Sequence, residues 1–197
     1  MNVFYEDLPE TLKINGKEYP IITDFREWMR FSDMLKSDLQ PQYKLEFLAE
    51  MFLEDAPDLY TEEGVEEVMD SITSFLSLEA LEFPNQYSDE LEEVEYKDAT
   101  EKKAIYYEQD APYIISAFRR EYQVNLLSVP YMHWWEFRML LDGLSEESQI
   151  KKRIYWRTCD VSKMEKKERM EILKIRRSIT IPEEEYVSDE DIGNAFM

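Results

Sequence analysis

The sequence predicts a mainly α-helical protein with a short N-terminal β-hairpin. From residue 25 onward apolar side chains recur at intervals of three and four, the signature of helices with one buried face. Only one stretch alternates as strands do, and it is centred on Asn15-Gly16. Hydrophobic residues make up 44% of the 197 positions and aromatics 14%, so a sizeable core is expected despite the charge.

Within Thr11–Ile22, Leu12 and Ile14 alternate with Thr11 and Lys13, and Asn15-Gly16 suits a two-residue type I′ turn, where both positions need positive φ. Pro20 then belongs at the end of the second strand, where no ladder donor is missed. The next helix is expected to bury Phe25, Trp28, Ser32, Leu35 and Leu39, with Asp24 as cap and Glu27 as its reciprocal partner. A second helix is expected to start after Pro41, to bury Leu45, Leu48 and Phe52, and to stop at Ala56-Pro57. A third spans about 61–79, with Val65, Val68, Ile72 and Phe75 inward.

Residues 83–100 lose this periodicity and read as an acidic linker, which places a hairpin plus three-helix region at 1–82. A C-terminal helical region is expected at 101–181, followed by an acidic tail at 182–197. In that region Glu101–Tyr122 reads as one helix, bent near Pro112, with Ile114, Ile115, Phe118 and Tyr122 on one face. Met132–Leu144 reads as another, burying Trp134, Phe137, Leu141 and Leu144, with Gly143 as C-cap. Adjacent helical positions point about 100° apart, so one of Trp134 and Trp135 is expected in the core and the other partly exposed. Ser145 is expected to cap a helix with Ile150, Ile154 and Cys159 or Trp156 inward, and Ser162 with Glu165 to form a capping box for a last, highly charged helix.

Forty-four acidic against 23 basic residues give a formal net charge of −21. A direct grip on nucleic acid or anionic lipid is therefore not expected, since both need Lys and Arg against phosphates. The charge is polarised: residues 1–100 hold 26 acids and 7 bases, whereas 151–177 hold eleven Lys/Arg against four acids. Such asymmetry suggests intramolecular docking or a head-to-tail contact between copies, with the acidic tail one candidate for the basic stretch. Oligomeric state is left open. One cysteine, Cys159, permits no intrachain disulfide and fits a reducing compartment. No secretory signal is expected, and the longest uncharged stretch, Tyr122–Trp135, is broken by Pro130 and too short to span a bilayer.

Catalytic raw material is scarce. The single histidine, His133, sits among Met132, Trp134 and Trp135 and reads as a packed core residue rather than a general base. Gly16, Gly64, Gly143 and Gly193 are too scattered for a phosphate-cradling loop, and no calcium loop or other metal site can be assembled. The expectation is a non-enzymatic protein without cofactor or metal.

The run Asp110-Ala-Pro-Tyr113-Ile114-Ile115 through Phe118 and Tyr122, then Met132-His133-Trp134-Trp135-Glu-Phe137, then Ile150-Lys-Lys-Arg153, resembles a family of bacteriophage proteins. They come from tailed phages and prophages of Gram-positive bacteria with long non-contractile tails (siphophages) and are encoded just before the tape measure protein. Val124-Asn125 departs from the isoleucine-aspartate common there. The resemblance implies a tail assembly chaperone-like protein of the host bacterial cytoplasm that keeps the tape measure protein soluble, with Asp110, Tyr113, Phe118, Tyr122, His133, Trp134, Trp135, Phe137 and Arg153 as family-motif or interaction residues. Helix-borne methionines such as Met29, Met51 and Met69 suit either a client groove or plain core filling. An alternative is an acidic DNA mimic or anti-defence inhibitor of a host nucleic-acid-binding protein. A hydrolase centred on His133 and Asp110 is the third reading.

Overall fold

The computed structural model describes residues 1–35, 37–78, 81 and 104–180, so the expected linker and tail lie outside the described residues. Among the described residues the chain forms a two-stranded hairpin and seven helices, arranged in two compact units. The first holds the described residues up to Leu81 together with Tyr131–Phe137; the second holds 104–130 and 138–180. The mainly α class with an N-terminal hairpin is as the spacing predicts.

In the first unit, β1 (Thr11–Ile14) and β2 (Lys17–Pro20) run antiparallel, with Thr11 opposite Pro20 and Ile14 opposite Lys17. Asn15 at φ 51° and Gly16 at φ 77° supply the two left-handed turn positions. Leu12 and Ile14 are buried on one face of β1. The next helix, α1 (Phe25–Leu35), is capped by Asp24, whose Oδ1 accepts from the Arg26 N–H at 2.9 Å. Glu27 pairs with Arg30 at 2.8 Å and does not return the cap. The buried face is Phe25, Trp28, Phe31, Met34 and Leu35. Phe31 takes the inward place foreseen for Ser32, whose hydroxyl bonds the Trp28 carbonyl, and Leu39 lies exposed beyond the helix end.

α2 (Pro41–Glu50) buries Leu48 fully and Leu45 only partly. It stops at Glu50, seven residues before Pro57, because the chain after it pairs with the end of the hairpin. The Ile22 N–H donates to the Met51 carbonyl at 2.9 Å and the Leu53 N–H to the Pro20 carbonyl at 3.0 Å. α3 (Glu62–Leu76) begins where Thr61 Oγ1 accepts from the Gly64 N–H, and it buries Val65, Val68, Ile72 and Phe75 as their spacing predicts. β1 lies along α3, tied by the Ser71 hydroxyl to the Lys13 carbonyl and by Asn15 to Glu67.

The second unit is built on α4 (Tyr107–Glu121), α6 (Gln149–Thr158) and α7 (Lys166–Ile179), with α6 packed on both of the others. α5 (Trp134–Asp142) lies between α4 and α6 in sequence and contributes residues to both units. Ser148, not Ser145, caps α6, because Ser145 donates its N–H and hydroxyl to Glu121. The Ser162 capping box does not form either: Ser162 bonds Asp160, and Glu165 precedes α7 without a side-chain cap. The inward face of α6 is Ile150, Arg153 and Arg157, whereas Ile154, Trp156 and Cys159 are only partly buried. A helix that turns two arginines inward must answer their charge from the helices it meets.

Candidate functional site

Asp110 lies in the first turn of α4 and is fully buried. Its Oδ1 accepts from Arg153 Nε at 2.8 Å and from Arg157 Nη2 at 3.0 Å; its Oδ2 accepts from the Tyr106 N–H at 3.0 Å and from Arg157 Nη1. Both oxygens are thus fully engaged. Burial is the largest single influence on this carboxyl and pushes its pKa up, yet the Arg157 hydrogen bond, the Tyr106 N–H and Arg153 together outweigh it and hold the group below its ordinary 3.8.

Arg157 does more than neutralise Asp110. Its guanidinium also donates to the Ile179 carbonyl at the end of α7, to the Ala104 carbonyl ahead of α4 and to Gln109 Oε1. It lies over the Tyr106 ring at 4.7 Å, as Arg153 lies over Tyr113 at 4.5 Å. One side chain therefore ties α6 to α4, to the end of α7 and to the segment entering α4. A carboxylate so fully occupied has no lone pair left to take a proton from a substrate or to bind a metal. Among the described residues no group of three or more His, Cys, Asp or Glu could hold a metal ion, and no helix is long and apolar enough to cross a membrane.

The second cluster lies in the first unit. Asp24 and His133 form an isolated antiparallel bridge: the Phe25 N–H donates to the Met132 carbonyl at 3.0 Å and the Trp134 N–H to the Thr23 carbonyl at 2.7 Å. His133 Nδ1 accepts from the Trp135 N–H at 3.0 Å, so the imidazole caps the start of α5. With Nδ1 an acceptor, Nε2 carries the proton and donates to the Pro9 carbonyl at 3.0 Å. Burial lowers the pKa of His133, opposed by the Pro9 bond and the charges of Glu10 and Glu136. Trp134 and Trp135 are both buried, contrary to the expected division between them. Trp135 donates its indole N–H to the Phe75 carbonyl at 2.9 Å and packs on the Phe75 ring, while Trp134 stacks with Phe137, itself stacked on Phe25 at 4.8 Å.

The motif residues thus fall into two sets, each inside its own unit. Asp110, Tyr113 and Arg153 meet in the second unit; His133, Trp134, Trp135 and Phe137 meet in the first. Phe118 is buried against the edge of Tyr122 at 5.6 Å, and the Tyr122 hydroxyl donates to the Leu140 carbonyl at 2.9 Å. Sequence reasoning missed Arg157 and Tyr106. Arg153 and Arg157 stand four apart, one turn of a helix, which is a signal that hydropathy alone discards.

Fold and clusters together define a mainly α-helical protein whose motif side chains fasten its own backbone. The family model described as "Bacteriophage Gp15 protein" matches residues 4–181, and the chain belongs to that family. No curated protein and no solved structure gives a significant match.

Proposed function

We propose that the chain is a non-enzymatic tail assembly factor of a Gram-positive siphophage or prophage, acting in the host cytoplasm as a chaperone-like binder of the tape measure protein. Membership of a bacteriophage family carries this reading. Its support from the molecule is that the motif carboxylate and imidazole are committed to internal hydrogen bonds, while large apolar side chains stand in solvent. Phe4 and Tyr5 are 88% and 87% exposed, and Leu53 and Tyr60 are exposed on the same unit. Such groups suit a partner rich in amphipathic helix.

The test is co-expression with the tape measure protein of the same phage. The client should move from the insoluble to the soluble fraction and co-purify with this chain. Equal insolubility with and without it would end the chaperone reading. The acid excess of residues 1–78, eighteen carboxylates against six cations, favours a second reading as a DNA mimic. Binding to a basic host nuclease that does not weaken with salt would count against that one.

A further inference from the structure

The two units carry opposite exposed stripes. On α7, Lys166, Lys167, Lys174 and Arg177 are exposed and make no ion pair among the described residues. At 100° per residue they fall within an arc of about 100° and a length of about 16 Å. Met170, 60% exposed, lies in the middle of that arc, and the acids of the helix, Glu168 and Glu171, lie outside it. On α3, Glu62, Glu63, Glu66 and Asp70 are exposed on an arc of the same width, about 12 Å long. Glu67 is drawn off to Asn15 and takes no part.

We propose that these stripes are the two halves of a contact between copies of this chain, α3 of one copy lying against α7 of the next. Four carboxylates then meet four cations at helical spacing, around an exposed methionine that the contact covers. A single exposed ion pair contributes little, but a matched row steers encounter and fixes register. The contact joins two different surfaces, so it closes as a two-fold dimer where both stripes of each copy are engaged by the same neighbour, and builds a ring or a filament where they are engaged by different ones. This goes beyond the proposed client binding and does not depend on it.

Sedimentation velocity on the full chain tests the proposal. At low salt the wild-type protein should sediment as species larger than the monomer, and raising the salt to about 0.5 M, where the Debye length falls to a few Å, should dissociate them. Lys166→Glu/Lys174→Glu and Glu66→Lys/Asp70→Lys alter only exposed side chains, and circular dichroism should report unchanged helix content. Each double variant alone should associate at least tenfold more weakly than wild type. An equimolar mixture of the two should recover association, because the reversed stripe of each variant then meets a complementary one. A wild-type chain that stays monomeric at low salt, or a mixture that stays dissociated, would overturn the proposal. So would an oligonucleotide that binds the α7 stripe of a monomer, since the stripe would then serve phosphates.

Discussion

Replacing Asp110 by Asn keeps the shape of the side chain and removes the charge that two arginines share. Arg157 is only 2% exposed and Arg153 8%, so neither can recover its lost partner from water. The amide turns two N–H donors toward guanidinium and backbone donors, and only one oxygen still accepts. Breaking a buried pair from one side costs about 3–5 kcal/mol, a large part of the roughly 5–15 kcal/mol that holds an ordinary domain folded. With a urea slope of about 2 kcal/mol/M, the midpoint should fall by about 2 M, read by circular dichroism. Arg153→Met should cost less, about 1–3 kcal/mol, since it removes one charge-assisted bond to Asp110. Acid adds a second reading. Because the folded carboxyl titrates below 3.8, the unfolded chain binds its proton more readily, so the stabilisation is full above about pH 4 and is lost as pH falls through the folded value. Asp110→Asn should remove that portion of the acid dependence. A loss under about 1 kcal/mol at neutral pH would refute the view that this cluster fastens the second unit.

Three further outcomes are expected. The folded His133 titrates below its ordinary 6.5, so the unfolded state takes up the proton first and stability should decline as pH drops below about 6.5; His133→Asn, which can still cap α5, should flatten thermal melts compared between pH 7.5 and 5.5. Gly64→Ala should destabilise, although alanine in a helix ordinarily gains about 1 kcal/mol over glycine, because the added Cβ would stand 2.4 Å from the Asp58 carbonyl oxygen; a raised melting temperature would contradict this. Lys44 is buried with Nζ 2.9 Å from the Leu35 carbonyl at the end of α1, so Lys44→Met should cost about 1–2 kcal/mol by urea titration, and no change would mean the carbonyl finds water instead.

The hairpin was legible because its turn chemistry is local: Asn15-Gly16 dictates two positive φ values whatever the rest of the chain does. α3 was legible because its inward positions are all apolar. Boundaries set by distant partners were not. α2 stops where Met51–Leu53 meets Pro20–Ile22, and nothing within 41–57 announces that pairing. Ser145 and Ser162 have the right residue type for caps, yet Glu121 and Asp160 hold them instead. For α6 the difference between expectation and structure has one source. Hydropathy assigns arginine to solvent, and only the third dimension shows that Asp110 and the Ile179 and Ala104 carbonyls can satisfy two of them inside.

The candidate site was legible as a list and not as a geometry, and that difference bears on function. The hydrolase reading needs Asp110 and His133 to act together, whereas each is engaged by its own set of partners. Asp110 serves guanidinium and backbone N–H groups; His133 serves the N–H of Trp135 and the carbonyl of Pro9. A residue pattern can recur because a fold needs it, and both clusters answer such a need: each closes a long-range connection that the helices alone leave open. Apolar replacement of an ion cluster is often neutral, but here it would leave the Ile179 and Ala104 carbonyls without the donor they now have, which gives Arg157 a role no methionine or leucine can fill. On the function and the copy-to-copy contact proposed above, the residues that meet a partner are expected among the exposed aromatics of the first unit and the charged stripes of α3 and α7. There, substitution should change association while leaving the urea midpoint where it is.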